Sequence, residues 1–246
     1  MKSFKKILGI AATSALALTL GAFALTGCGG GKNYTFEAEE AVLWDPATAG
    51  KNTMKIQDGV SVDSQEDVTL VGYFATPGQT ITWNVTAAAD CTVTLKLGAS
   101  STSFDLVDGE GEFLGAENIW GWMFGQPIEG FDQTTAKGYL AALDAADCGA
   151  VLKVNDSEVG MSGTLPSATV ELEGIAENRW AAGAVYSIVN CGELTAKINL
   201  KKGENKIVLE VVTGGLNVDK ITIKSKTELT FAPTDNSDRI PSDTQG

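Results

Sequence analysis

The chain has 246 residues, 18 basic and 31 acidic side chains, a formal charge of −13 and no histidine. The acidic balance argues against nucleic acid and anionic headgroups as partners. The missing imidazole removes Ser-His-Asp and Cys-His triads, HExxH zinc sites and histidine general bases, and leaves carboxylate chemistry such as glycoside hydrolysis.

At the N-terminus Lys2, Lys5 and Lys6 precede an apolar stretch from Ile7 to Leu25 that ends in small residues, which is the build of an export signal. Leu25-Thr26-Gly27-Cys28 resembles the bacterial lipobox, whose cysteine becomes a lipidated N-terminus after cleavage. The resemblance implies a signal peptide over 1–27 and a diacyl anchor at Cys28, strong enough for stable attachment. It also implies a glycine-rich tether over 28–33 and a place in the bacterial cell envelope, outside the cytoplasm. Cleavage there takes away three lysines and no acid, so the remainder is more acidic still. Cys91, Cys148 and Cys191 are then left; they allow at most one disulfide, with the pair undecided, and no CxxC spacing points to zinc.

The next stretch, "NYTFEAEEAVL", would on an extended backbone carry Glu37 and Glu39 on one face and Phe36 and Ala38 on the other. Two adjacent carboxylates repel unless a cation lies between them. Trp44 follows and is expected to pack. After the turn "TPGQ", "TITWNVTA" alternates Ile81, Trp83 and Val85 with polar residues, and "CTVTLKLG" does the same with Val93, Leu95 and Leu97. Both read as strands with one wet face, and Trp83 as core.

Residues 104 to 150 are rich in glycine and aromatics without a clean period and read as a long loop insertion, with a short helix over 135–146. "GAVLKVNDSEVG" returns to strand and turn. "LTAKINL", "KIVLEVV" and "NVDKITIKS" alternate again, joined by "KKGEN" and "TGG". The tail over 227–246 is polar, contains two prolines and is expected to be disordered. Short strands without βαβ alternation predict an all-β fold, an antiparallel β-sandwich.

In the last strand Asp219 is in register with Ile221 and Ile223, on the side that reads as buried, with no Lys or Arg on its own face. A buried carboxylate needs a partner. If the first and last strands are neighbours, Glu37, Glu39 and Asp219 converge, and three carboxylates suit a hard divalent cation such as calcium.

The stretches "YTFEAEEAVL", "VLKVNDSEV" and "LTAKINLKKGENKIVLEVVTGGLNVDKITI", in that order, resemble the carbohydrate-binding modules of families 6 and 35. The resemblance implies a jelly-roll, galactose-binding-like sandwich over 34–226, departing from the family in the insertion at about 104–150. It implies a structural calcium held between the sheets by Glu37, Glu39 and Asp219, and a glycan bound at the loop edge. Asn217, two places before the calcium aspartate, takes the position of a ligand contact. The aromatic platform that a pyranose ring stacks on falls to Trp180 or Tyr186, and the insertion adds Trp120 and Trp122. The function expected is a non-catalytic, lipid-anchored, cell-surface protein that binds a glycan or oligosaccharide. Two alternatives stand beside it: an adhesion lipoprotein whose aromatic insertion contacts a surface protein, and a glycoside hydrolase using Asp105, Asp108, Glu110 or Glu112.

Overall fold

The computed structural model describes residues 30–46, 53–61, 67–107, 110–113, 137–171 and 188–236. The export signal, Cys28, Asp108, Trp120, Trp122, Trp180 and Tyr186 lie outside the described residues.

In chain order the strands are β1 (Lys32–Glu37), β2 (Val42–Trp44), β3 (Lys55–Ser61), β4 (Asp67–Phe74), β5 (Thr80–Ala87), β6 (Cys91–Ser101), β7 (Phe104–Val107), β8 (Lys137–Leu140), β9 (Leu143–Asp144) and β10 (Ala150–Val154). They continue with β11 (Ser157–Val159), β12 (Met161–Ser162), β13 (Thr164–Leu165), β14 (Ala168–Glu171), β15 (Ile188–Val189), β16 (Gly192–Leu200), β17 (Gly203–Val211), β18 (Leu216–Ser225) and β19 (Leu229–Phe231). The larger sheet runs β12-β16-β6-β18-β4-β3-β15, with β1 also on β18; a second runs β11-β10-β17-β5-β19, with β2 also on β5; β14-β8-β7 and β13-β9 form two small sheets beside them. Among the described strands, pairing is antiparallel except between β15 and β3. This is the predicted antiparallel β-sandwich.

The alternating residues of the strands do the packing. Ile81, Trp83 and Val85 from β5, Leu95 and Leu97 from β6, Ile207 and Leu209 from β17 and Ile221 and Ile223 from β18 are fully buried in one core between the sheets. Removing that much apolar area from water is the main favourable contribution to folding. The "VND" turn closes β10 on β11 as a two-residue hairpin, with Asn155 and Asp156 both at positive φ (49° and 66°), as a turn matching strand twist requires. Asn155 Nδ2 then donates to Asn205 Oδ1 at 2.9 Å, and Asn205 Nδ2 donates to the carbonyls of Lys201 and Gly203, tying two turns together.

Three expectations are corrected. The stretch 135–146 forms no helix in its described part: β8 and β9 occupy it, and no α-helix occurs among the described residues. Alanine and leucine are good helix formers, but intrinsic propensity is worth only tenths of a kcal/mol per residue, and pairing of β8 with β7 and β14 in a small three-stranded sheet overrides it. The tail is ordered through Asn236, because two apolar side chains suffice to seat it. Leu229 is buried and the Phe231 ring packs 5.2 Å from that of Phe36, while β19 takes the half of the β5 edge that β2 leaves free. The sandwich therefore extends past the expected boundary at 226. Trp44, expected to pack, is 55% exposed, because Leu43 is the residue of β2 that turns inward.

Candidate metal and ligand site

β18 is the strand that assembles the site. It pairs with β6 along its whole length, but on its other side it meets β4 through Leu216 and Val218 and then β1 from Lys220 onward. Both pairings shift register at the changeover. Against β6, Val218 faces Ala99 and Lys220 faces Gly98, so Asp219 is the extra residue of a β-bulge. A bulge turns consecutive side chains toward one side, which a regular strand does not. Here it sets Asp219 and Lys220 together, with Lys220 Nζ 3.1 Å from Asp219 Oδ2. The partner expected to be missing for Asp219 is thus its own neighbour, which strict alternation places on the opposite face.

β1 brings the glutamates. Glu37 is in register with Lys220, and beyond it the Ala38 amide donates to the Asp219 carbonyl at 2.8 Å. Trp83 Nε1 donates to the Glu37 carbonyl at 3.2 Å, anchoring this strand end to the core. The turn that follows carries Glu39 and Glu40 and is clamped by the ordered tail. Asn236 Nδ2 donates to the carbonyls of Glu39 and Ala41, both at 2.8 Å, and the Thr234 amide donates to that of Glu40 at 2.7 Å.

The electrostatics follow from this crowding. Burial pushes the Glu39 carboxyl up to about 7; its own backbone amide opposes the shift, and Glu37, Asp219 and Glu40 add to it. Burial also raises Glu37, where Lys220 pulls the other way. Lys220 is depressed by burial, yet its bond to Asp219 and the charges of Asp219 and Glu37 outweigh that and raise it. Glu39 Oε2 is buried without a hydrogen-bond partner. Carboxylate oxygens are the donors a hard divalent cation takes, but among the described residues they are not assembled into a coordination shell. Among the described residues no three Asp, Glu or Cys side chains surround one point in ligating geometry, and the cation found against Asp219 is Lys220.

Glu37 lies on the face of β1 away from the core, since Phe36 points inward. A side chain at Gly98, which alternates with the core residues Leu97 and Ala99, would meet Asp219 Oδ2 at 3.4 Å and Lys220 Cγ at 3.3 Å. The carboxylates therefore gather on the outer face of the larger sheet rather than between the sheets.

The same face continues to Asn217, which is paired with Ser100, flanked by the core residues Leu216 and Val218, and buried. Opposite Asn217, β4 has a bulge of its own. Phe74 pairs with Leu216 and Val71 with Val218, so Gly72 and Tyr73 together face the single residue Asn217. Tyr73 has φ 56° and is 56% exposed. A bulky side chain in the left-handed region is a genuine outlier, costs about 1–2 kcal/mol and is a pointer to function. Sequence reading missed Tyr73; the signal available was a tyrosine beside a glycine at the end of a strand pattern.

Only Asn190 and Cys191 separate β15 from β16, although four strands lie between these two in the sheet order. Three peptide links reach at most about 11 Å, well short of the width of five strand spacings, so the sheet curls strongly at this end. The crossing segment passes over Ser100, whose Oγ accepts from the Asn190 amide at 3.1 Å. Asn190 Nδ2 donates to the Ser167 carbonyl at 3.0 Å, while its Oδ1 is buried without a partner. Burial, with Asp219 adding to it, pushes the Cys191 thiol up to about 11. Cys91, Cys148 and Cys191 are all free thiols.

Of the other predicted residues, Asp105 on β7 stands in register with Tyr139 on β8, and Glu110 and Glu112 are exposed beyond β7.

No family model and no curated protein matches the chain. Among solved structures it is similar to a family 35 carbohydrate-binding module from an environmental isolate, at 16% identity and a TM-score of 0.37 over 79% of this chain and 99% of that one. It is likewise similar to a family 35 module from Clostridium thermocellum, at 17% identity and a TM-score of 0.39 over 78% and 97% of the two chains. A third is the C-terminal family 6 module of a marine laminarinase from Zobellia galactanivorans, at 10% identity and a TM-score of 0.38 over 79% and 100%. The two families that the sequence resembles thus recur among the similar structures.

Proposed function

We propose that this chain is a non-catalytic carbohydrate-binding protein, lipid-anchored at Cys28 in the bacterial cell envelope, with a structural calcium beside its ligand site. The observation that carries the reading is Tyr73, an exposed aromatic ring held at a strained position directly opposite Asn217. A flat ring beside an amide is the pair a pyranose needs, one for its apolar C–H face and one for a hydroxyl. Trp180, Tyr186, Trp120 and Trp122 remain as further platform candidates. The −13 charge suits a neutral ligand.

Glu37, Glu39 and Asp219 would hold the calcium, which supplies the positive charge that three crowded carboxylates lack. The chain's own residues hold the carboxylates in place: the β18 bulge aims Asp219, the Ala38 amide ties β1 to it, and Asn236 fixes the Glu39 turn.

The test is a glycan array followed by calorimetric titration of the best ligand. Tyr73→Asn, whose short side chain tolerates the left-handed region, is expected to keep or raise Tm and to weaken binding about tenfold or more, the loss of one stacking contact. Unchanged affinity moves the platform elsewhere. Silence across the array from folded, calcium-loaded protein overturns the glycan reading.

A further inference from the structure

The start of β1 fixes which end of the sandwich a lipid on Cys28 reaches. Only Gly29, Gly30 and Gly31 separate Cys28 from Lys32, so that link spans at most about 14 Å. Lys32 is in register with Ser225, at the close of β18. The β5–β6 turn, the β16–β17 turn and the stretch from β18 to β19 meet at the same end. Lys202 bridges to Ala87 and its amide donates to Asp90 Oδ1 at 2.7 Å, while the Ala88 amide donates to the Glu228 carbonyl at 3.0 Å. Asn217, with Tyr73 opposite, belongs to the other end, because Leu216 opens β18. Eight residues of strand put Asn217 about 26 Å from Ser225.

The anchored end is basic in an otherwise acidic molecule. Lys32, Lys197, Lys201, Lys202, Lys224 and Lys226 are all exposed there. Lys197 on β16 faces Thr94 on β6, Thr94 faces Lys224 on β18, and Lys224 faces Asn33 on β1, so this row across the larger sheet contains no carboxylate. Of the six lysines, Lys201 alone has an ion pair among the described residues, 3.7 Å from Asp90 Oδ2, and Lys32 Nζ sits 4.9 Å from the centre of the Tyr34 ring. The acids of this end are Asp90, in the turn between the sheets, and Asp156, Glu204 and Glu228, on elements of the second sheet. The excess positive charge therefore lies on the side of the larger sheet.

We propose that this basic end is a docking surface for the anionic headgroups of a phospholipid bilayer, which seats the sandwich upright on the membrane that holds its anchor. The inference rests on the lipid-anchor reading and goes beyond it, because a diacyl group attaches a chain without choosing which of its faces meets the bilayer. A charge of −13 describes the whole molecule, but headgroups feel only the charges within a Debye length, about 10 Å at 0.1 M salt. Asp219 stands six residues up β18 from Ser225, about 20 Å away and beyond that range. Each lysine brought to an anionic surface tightens binding about fivefold. Docked this way, the protein presents Asn217 and Tyr73 away from the bilayer, where a large glycan has free access.

The experiment uses the full chain, matured in a bacterium and purified with its lipid, in vesicles of phosphatidylcholine alone or of an equal mixture with phosphatidylglycerol. Lysine acetylation rates are read residue by residue by mass spectrometry, and the mass of the N-terminal peptide reports the lipid on Cys28. On the mixed vesicles Lys197, Lys201, Lys202, Lys224 and Lys226 are expected to react about threefold or more slowly than on the neutral ones. That difference is expected to vanish in about 1 M salt, where the Debye length is about 3 Å. Lys55 on β3 and Lys153 on β10 are expected to react alike on both. Replacing Lys197→Gln, Lys224→Gln and Lys226→Gln together is expected to keep Tm and to abolish the slowing at Lys201 and Lys202. Equal rates on both vesicles from lipidated protein overturn the proposal while the anchor stands. Slowing of the same lysines by inorganic phosphate without vesicles makes a free anion the occupant and overturns it too. A product with no lipid on Cys28 removes the anchor and the proposal with it.

Discussion

Gly149→Ala is expected to cost most or all of the stability of the fold. Gly149 has φ 67°, and a Cβ there would lie 1.3 Å from the Thr213 carbonyl oxygen and 2.4 Å from its carbon. That backbone cannot step aside, since the Val212 and Thr213 amides both donate to the Gly149 carbonyl, at 2.7 and 2.8 Å, where β10 meets the end of β17. The left-handed conformation alone costs an alanine about 1–2 kcal/mol. The clash adds the loss of both hydrogen bonds and of the β10 register, for a total of several kcal/mol against a typical domain stability of about 5–15. Tm is expected to fall by about 10 °C or more. Two controls separate the causes. Gly203 has φ 95° and open space around it, so Gly203→Ala bears only the conformational cost; Gly160 has open space and no positive φ, so Gly160→Ala leaves Tm unchanged. Equal Tm for all three variants would refute the account.

In chelator, stability is expected to fall as pH rises from about 5 to about 8, and calcium is expected to abolish that fall. Burial chiefly, then Glu37, Asp219 and Glu40, raise the folded-state pKa of Glu39 to about 7 from an ordinary 4.5. A carboxyl raised in this way binds its proton more tightly folded than unfolded. Between pH 4.5 and 7 the native state therefore carries the extra proton, stability declines with pH across that window, and the loss is complete above it. Glu37, also raised by burial, adds in the same direction. The shift of Glu39 sets an upper bound of about 3 kcal/mol, which partial solvent contact reduces to about 1–2 kcal/mol, or roughly 5 °C in Tm for a domain of this size. A bound divalent cation stabilises the ionised carboxylates, so the calcium-induced gain in Tm is largest at pH 8 and smallest at pH 5. Thermal melts at four pH values, with calcium and with chelator, check this, and Glu39→Gln is expected to flatten the chelator profile. A calcium-induced gain that does not grow with pH argues against Glu39 as a ligand.

The parts of the site differ in how visible they were beforehand, and the difference has a physical origin. Glu37 and Glu39 near one end and Asp219 near the other stood out as charges beside apolar strand residues, and the pairing of β1 with β18 brings those ends together. Lys220 did not stand out, because alternation places neighbours on opposite faces and only the bulge reverses that. Tyr73 is hidden for the same reason. Its place opposite Asn217 depends on a register mismatch between β4 and β18, a property of two strands 142 residues apart rather than of either one. The described part of the tail, 227–236, escaped the composition test because polarity counted all residues alike, whereas its seating depends on a few, Leu229, Phe231, Thr234 and Asn236 among them.

What the sequence determined by itself is the alternation of β5, β6, β17 and β18, hence the strands, their buried faces and the sandwich, because period-two patterning has one low-energy solution when a single face must leave water. The tertiary structure alone decided where that period breaks. Bulges arise when neighbouring strands of unequal local length must share one ladder, and no single strand carries that information. In this protein the β18 bulge sets Asp219 beside Lys220, and the β4 bulge puts Tyr73 in register opposite Asn217.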